Sequence, residues 1–268
     1  MKDLQENIVP VENQNAGDFY VHKEGSGVRV MFVGNSITKH APKPQIGWTN
    51  DCGMAASSID KDYVHILERR IGEIDKDAAF GLLQVAHFEH EFADMDPAVY
   101  YSQQIKFKPD VVIMFFGANV SKEYDVCENP KRKFGDAFEA LRNALDTGNT
   151  FFLISDGFYI RPVLDAEKKK VAEKYGDAYA DLTDIRARED SHGKFNHPGD
   201  LGMEMIADRF WEILKPEIEP RAETTGSRNL PIKKSLSLFD RLLPHFLIIR
   251  VRYSLGETPT RFLKSLEK

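Results

Sequence analysis

The chain predicts an α/β protein with a parallel sheet covered by helices on both faces. Three observations carry that prediction. Short β-branched and aromatic runs, apolar at successive positions, read as strands buried on two sides. Segments with apolar residues at helical spacing alternate with them, the pattern of a βαβ series. The composition, 42% hydrophobic and 29% charged over 268 residues, is that of a globular chain rather than a disordered one.

Val28–Val33 (VRVMFV) is the first strand and ends at Gly34. Asp60–Ile74 places Tyr63, Val64, Leu67, Ile71 and Ile74 on one helical face, with Ser58 positioned as its cap. Gly81–His87 reads as the second strand. Asp110–Phe116 (DVVIMFF) is the third and the most hydrophobic. Phe134–Leu145 is helical, Thr150–Ser155 a fourth strand, Ala166–Tyr175 helical, and Ala178–Leu182 a short last strand. A final helix runs from about Leu201 to Leu214, with Asp200 as its cap, and is expected to stop at Pro216. The sheet should therefore have about five strands. Thr38–Ser57, polar and punctuated by Gly and Pro, is an insertion between the first strand and its helix. The domain reading is an N-terminal segment 1–27, a body 28–220 and a basic amphipathic extension 221–268.

The net charge of −6 is unevenly divided. Residues 221–268 hold ten basic and four acidic side chains, whereas residues 1–220 hold 26 and 38. So acidic a body argues against nucleic acid as the main partner, and none is expected. In the extension, apolar clusters (Leu236, Leu238, Phe239, Leu242, Leu243; Phe246–Ile249) alternate with Arg241, Arg250, Arg252 and Arg261. Such a segment suits an anionic membrane surface, a return onto the acidic body, or a homo-oligomer interface. Leu243-Pro244 breaks any single long helix there. The opening residues are polar and acidic, with no leader pattern. The longest apolar runs, Val111–Gly117 and Phe246–Ile249, are far short of a membrane span. Cys52 and Cys127 read as free thiols. The expected location is cytoplasmic, with a membrane-peripheral one left open.

In doubly wound sheets the ligand site lies beyond the carboxyl ends of the strands. The first strand ends in Gly34-Asn35-Ser36-Ile37-Thr38, where Ser36 is either an exposed nucleophile or a turn serine. The third ends in Gly117-Ala118-Asn119, which aims an amide at the same crevice. Asn196-His197-Pro198-Gly199-Asp200 precedes the last helix. A serine, an amide and a histidine in that order, each at a sheet terminus, would supply a nucleophile, an oxyanion donor and a general base.

Gly34-Asn35-Ser36, Gly117-Ala118-Asn119 and His197-Pro198 resemble the first, third and fifth blocks of the SGNH (GDSL-type) hydrolase superfamily of esterases and lipases. Val33–Leu67, with Gly47-Trp48, Gly53-Met54-Ala55-Ala56-Ser57 and Asp62-Tyr63-Val64-His65, and His197–Met203 (HPGDLGM) resemble a bacterial, carbohydrate-esterase-like branch. The resemblance covers about residues 28–215. It implies a flavodoxin-like three-layer α/β/α sandwich and ester hydrolysis through an acyl-serine, with no cofactor and no metal. Ser36 is then the nucleophile, His197 the base, and the Ser36 N–H and Asn119 side chain the oxyanion donors, with Gly117 in the supporting backbone.

The chain departs from that pattern in three places. The usual acid three residues before the histidine is Lys194, so a Ser–His dyad is expected. Its Nδ1 proton should go to the Lys194 main-chain carbonyl or, failing that, to Asp190 or Glu189. His87-Phe88-Glu89-His90 stands where the family has a glycine donor, so a non-glycine N–H or Gly53 would serve. Val120 replaces the acid that often follows the block-three asparagine. His87, Glu89, His90 and Glu91 do not form a His-Glu-x-x-His pattern, and on a strand His87 and Glu89 would share one face. Asn35, Trp48 and Glu89 are the candidates for substrate contact; Trp48 alternatively anchors the insertion. The expected substrate is a small acyl ester, an acetylated glycan foremost. Acyl transfer to a glycan and a non-catalytic glycan-binding protein with a decayed site are the competing readings.

Overall fold

The structure, a computed structural model, describes residues 19–228. Residues 229–268, on which the expectations about membrane, partner and oligomer contacts mostly fall, lie outside the described residues, as do residues 1–18.

Six strands form one sheet in the order β1-β3-β2-β4-β5-β6. They are β1 (Phe19–Lys23), β2 (Arg29–Gly34), β3 (Ala79–Gln84), β4 (Val111–Phe115), β5 (Phe151–Ser155) and β6 (Ala178–Ala180). The five from β2 to β6 are mutually parallel, and β1 pairs antiparallel with β3. The helices are α1 (Tyr63–Ile74), α2 (Ala86–Glu91), α3 (Pro97–Tyr100), α4 (Phe134–Leu145), α5 (Pro162–Tyr175), α6 (Thr183–Arg186) and α7 (Asp200–Arg228). Because side chains alternate across a strand, β2 feeds two cores. Val30 and Phe32 pack with Leu67 of α1 and Phe210 of α7. Met31 and Val33 pack with Phe138 of α4 and Leu164 of α5 on the other face. This is the expected three-layer α/β/α sandwich.

Four local expectations are corrected. β1 was not anticipated, since FYVHK is too short to stand out from its polar surroundings. The second parallel strand occupies 79–84 rather than 81–87, and Ala86–Glu91 is helical, so strand-face reasoning does not apply to His87 and Glu89. The cap of α1 is Asp62, whose carboxylate accepts from His65 N at 2.8 Å, whereas Ser58 makes no side-chain capping bond. α7 continues through Pro216 and Pro220 to Arg228. An interior proline costs about 3 kcal/mol, yet the buried stripe Phe210, Leu214 and Ile218 runs across Pro216 without a break. Packing of that face overrides the missing hydrogen bond.

The insertion after β2 is a folded loop, held by bridges between His40 and Cys52 and between Lys43 and Trp48. No helix among the described residues is long and apolar enough to cross a membrane.

Candidate active site

The chain turns sharply after β2: the Asn35 carbonyl accepts from both Thr38 N and Lys39 N at 3.0 Å. Gly34 is required for that turn, because a Cβ there would lie 1.7 Å from Thr38 Oγ1. Ser36 is thereby lifted off the sheet end toward the loop before α7, where Ser36 Oγ and His197 Nε2 stand 2.7 Å apart. Both are buried, at 3% and 1% exposure.

The partners of the other ring nitrogen define the tautomer. His197 Nδ1 lies 2.8 Å from the Phe195 carbonyl, which can only accept, so Nδ1 carries the proton. Nε2 is then a lone pair, and Ser36 Oγ–H donates to it. This is the arrangement a general base needs. The Tyr159 hydroxyl also sits 3.1 Å from Nδ1. Burial holds the Tyr159 phenol far above its ordinary pKa, so it remains neutral. Burial likewise pushes His197 down to about 4, against the opposing pull of the Phe195 carbonyl.

The Nδ1 acceptor is therefore Phe195 and not Lys194, whose carbonyl instead receives His197 N at 3.1 Å. Asp190 is no substitute acid: it is exposed and paired with Arg188. The one-residue difference follows from backbone conformation. Phe195 and Asn196 both adopt left-handed φ, 57° and 55°, which turns the Phe195 carbonyl back onto the ring. Non-glycine residues in that region cost about 1–3 kcal/mol each. The loop is held in place by His192 Nδ1 on Asn196 Oδ1 (3.0 Å) and by Gly193 N donating to His197 O (2.7 Å).

The asparagine side of the site is built around Glu89, which is wholly buried on α2. Its Oε1 accepts from Gly117 N (2.5 Å), Asn35 Nδ2 (3.0 Å) and Asn119 N (3.3 Å), and its Oε2 from Asn119 Nδ2 (2.6 Å). Burial raises the Glu89 pKa, and these N–H donors counter part of that rise. The Asn119 side chain keeps a second Nδ2–H, and Ser36 N–H has no hydrogen-bond partner among the described residues. These two donors remain for an oxyanion.

Several expected contacts are reassigned. Glu89 and Asn35, expected to meet substrate, are buried and bond to each other, so Asn35 Nδ2 and Glu89 Oε1 are engaged within the protein. Gly117 N is engaged by Glu89, and Gly53 N by Asp62 Oδ2 at 2.8 Å, so neither is a free oxyanion donor. Trp48 is 4% exposed and donates through Nε1 to the His40 carbonyl at 3.2 Å, which makes it the anchor of the insertion. Asp200 does not cap its own helix with its carboxylate but accepts from Ser57 N and Ser57 Oγ at 2.7 and 2.6 Å, joining the insertion to α7. His87 stacks on Tyr100, with ring centroids 5.4 Å apart. Among the described residues no group of three or more His, Cys, Asp or Glu side chains is arranged to hold a metal ion.

Tyr159 escaped sequence reading. The signal was available, since Asp156-Gly157-Phe158-Tyr159 follows β5 just as Ser36 follows β2 and Asn119 follows β4. Arg161 secures it by donating to Val120 O (2.6 Å) and to Asp125 Oδ2 (2.7 Å), which ties the post-β5 loop to the post-β4 loop.

No family model matches the chain, and no curated protein does. Solved structures do. A protein described as a GDSL-like lipase from Bacteroides uniformis aligns at 16% identity over 71% of this chain and 96% of its own, with a TM-score of 0.48. TesA aligns at 13% identity over 70% and 98%, with a TM-score of 0.46. A family two carbohydrate esterase from Cellvibrio japonicus aligns at 13% identity over 72% of this chain and 62% of that one, at 0.49.

Proposed function

We propose that the chain is a serine esterase of the SGNH type that cleaves short acyl esters, acetyl foremost, through an acyl-serine. The observation that carries this reading is the 2.7 Å contact of Ser36 Oγ with His197 Nε2, in the tautomer dictated by the Phe195 carbonyl.

Ser36 Oγ attacks the acyl carbon as its proton passes to Nε2. The carbonyl oxygen becomes an oxyanion between Ser36 N–H and the second Asn119 Nδ2–H. A lost donor of this kind typically costs about 2.7–4 kcal/mol of transition-state stabilisation. The imidazolium returns its proton to the leaving alcohol, and water then repeats the sequence on the acyl-serine. A base with a pKa of about 4 is neutral at every ordinary pH but accepts a proton reluctantly, so turnover should be modest. Burial of the dyad favours a small acyl group over a long chain.

A carbohydrate as the alcohol portion rests on the likeness of Val33–Leu67 and His197–Met203 to carbohydrate-esterase-like sequences. The two free cysteines, one buried and one exposed, suit a cytoplasmic setting. The same burial limits water access, which supports transfer of the acyl group to a sugar hydroxyl as the second reading. Hydrolysis of 4-nitrophenyl acetate and acetylated glycans by wild type, absent in Ser36→Ala, is the test. Free acetate as product supports hydrolysis, whereas acetyl on an added glycan supports transfer. No turnover of any ester in the panel sinks both and leaves a decayed site.

A further inference from the structure

One peptide group at the end of β4 is gripped from both sides by buried ionisable side chains. The carbonyl of Phe116 accepts from Lys168 Nζ at 3.1 Å, and the N–H of the same peptide, Gly117 N, donates to Glu89 Oε1 at 2.5 Å. Lys168 and Glu89 are both 0% exposed. Lys168 Nζ also donates to the Ser155 carbonyl at the end of β5 (2.8 Å) and pairs with Asp165 at 3.0 Å. Asp165 is shared with Arg186 at 2.9 Å, so the ammonium is held from behind. Nothing in the proposed chemistry uses either Lys168 or Glu89. Burying an amine and a carboxyl group away from water is expensive unless each is fully partnered, and here each is.

The peptide they grip starts the turn that carries Asn119. Gly117 has φ +130°, a conformation that L side chains rarely adopt, and the chain leaves the strand there. Two residues on, Glu89 takes both the main-chain and the side-chain N–H of Asn119, at 3.3 and 2.6 Å. One Nδ2–H on Oε2 fixes the plane of the amide and hence the direction of the other. Through Asn35 Nδ2 the same carboxylate reaches the turn that carries Ser36.

We propose that Glu89 and Lys168 are positioning residues that clamp the Phe116–Gly117 peptide from opposite ends and so aim the Asn119 amide at the oxyanion. This assignment rests on the esterase reading for its catalytic consequence but not for its geometry. Neither residue touches the substrate. Their effect is transmitted through Asn119, and a misplacement of about 1 Å at such a group can cost roughly 10²-fold in rate.

Two measurements test the clamp. In the wild-type chain, the Gly117 amide proton should resonate well downfield and exchange slowly, as expected for a short bond to a carboxylate. Glu89→Gln, which cannot accept all four donors, should move it upfield together with the Asn119 side-chain amide pair. An ordinary, fast-exchanging Gly117 amide in wild type overturns the clamp, and that result requires neither a folded variant nor any turnover.

The second measurement is a double-mutant cycle on kcat and KM for 4-nitrophenyl acetate. Glu89→Gln and Lys168→Met should each lower kcat by up to about 100-fold with KM little changed. Neither should lower it further in an Asn119→Ala background. Losses that multiply with Asn119→Ala, or that appear in KM alone, show action by another route and overturn the positioning role. Absence of turnover in wild type defeats the esterase reading, whereas the amide resonances still decide the clamp.

Discussion

The two halves of the site are held by opposite kinds of chemistry. On the histidine side, every group that meets His197 Nδ1 is uncharged: a carbonyl at 2.8 Å and a phenol at 3.1 Å. On the asparagine side, buried charges hold the frame, with Glu89 bonded to Asn119 and Lys168 bonded to the peptide before it. The difference teaches where each half needs its electrostatics. A carboxylate on Nδ1 would stabilise the imidazolium and raise the base, and without one burial prevails and the ring stays neutral to about pH 4. An oxyanion donor needs fixed direction more than charge, and a carboxylate accepting several N–H groups provides that.

The contrast can be broken at several points. Ser36→Ala should remove esterase activity by about 10⁴-fold or more, measured as initial rates on 4-nitrophenyl acetate with folding checked by circular dichroism. Retained activity would move the nucleophile elsewhere. Asn119→Ala should lower kcat by about 10²–10³-fold with KM nearly constant. An equal effect on KM would make Asn119 a ground-state contact.

The pH profile probes the uncharged half directly. The active form of His197 is neutral, so kcat/KM should stay level as pH falls from 8 to 5. It should decline only as pH drops through about 4. An inflection near 6.5 would mean that the imidazole is solvated or charge-supported. Tyr159→Phe carries the smallest expected effect, a roughly two- to tenfold loss in kcat, because the Phe195 carbonyl still takes the Nδ1 proton. A far larger loss would make the phenol, rather than the carbonyl, the true orienting group.

Legibility differed by element. α4 was readable to the residue, since Phe134, Phe138, Leu141 and Leu145 mark one face and all are buried. β4 was unmistakable as an apolar run. The end of α7 was not readable, because a proline rule is local and the packing of Ile218 is not. The placement of Ser36, Asn119 and His197 was legible because each follows a recognisable strand end or precedes a helix. Trp48 and Glu89 stood out in the sequence, but their burial did not. Exposure depends on what folds over a residue, and the adjacent sequence carries no record of that.

What the sequence determined by itself is the alternation of apolar strands and amphipathic helices, and with it a sheet whose carboxyl edge collects a serine, an amide and a histidine. These follow from periodicity and turn chemistry, which act over a few residues. Only the tertiary structure decided which atom meets His197 Nδ1 and which groups hold the Asn119 amide. Phe195 O reaches His197 through two left-handed residues, and Glu89 and Lys168 meet at one peptide from helices 79 residues apart in the chain. Contacts of that kind are set by packing between distant segments, where hydrogen-bond partners are chosen by burial rather than by neighbourhood.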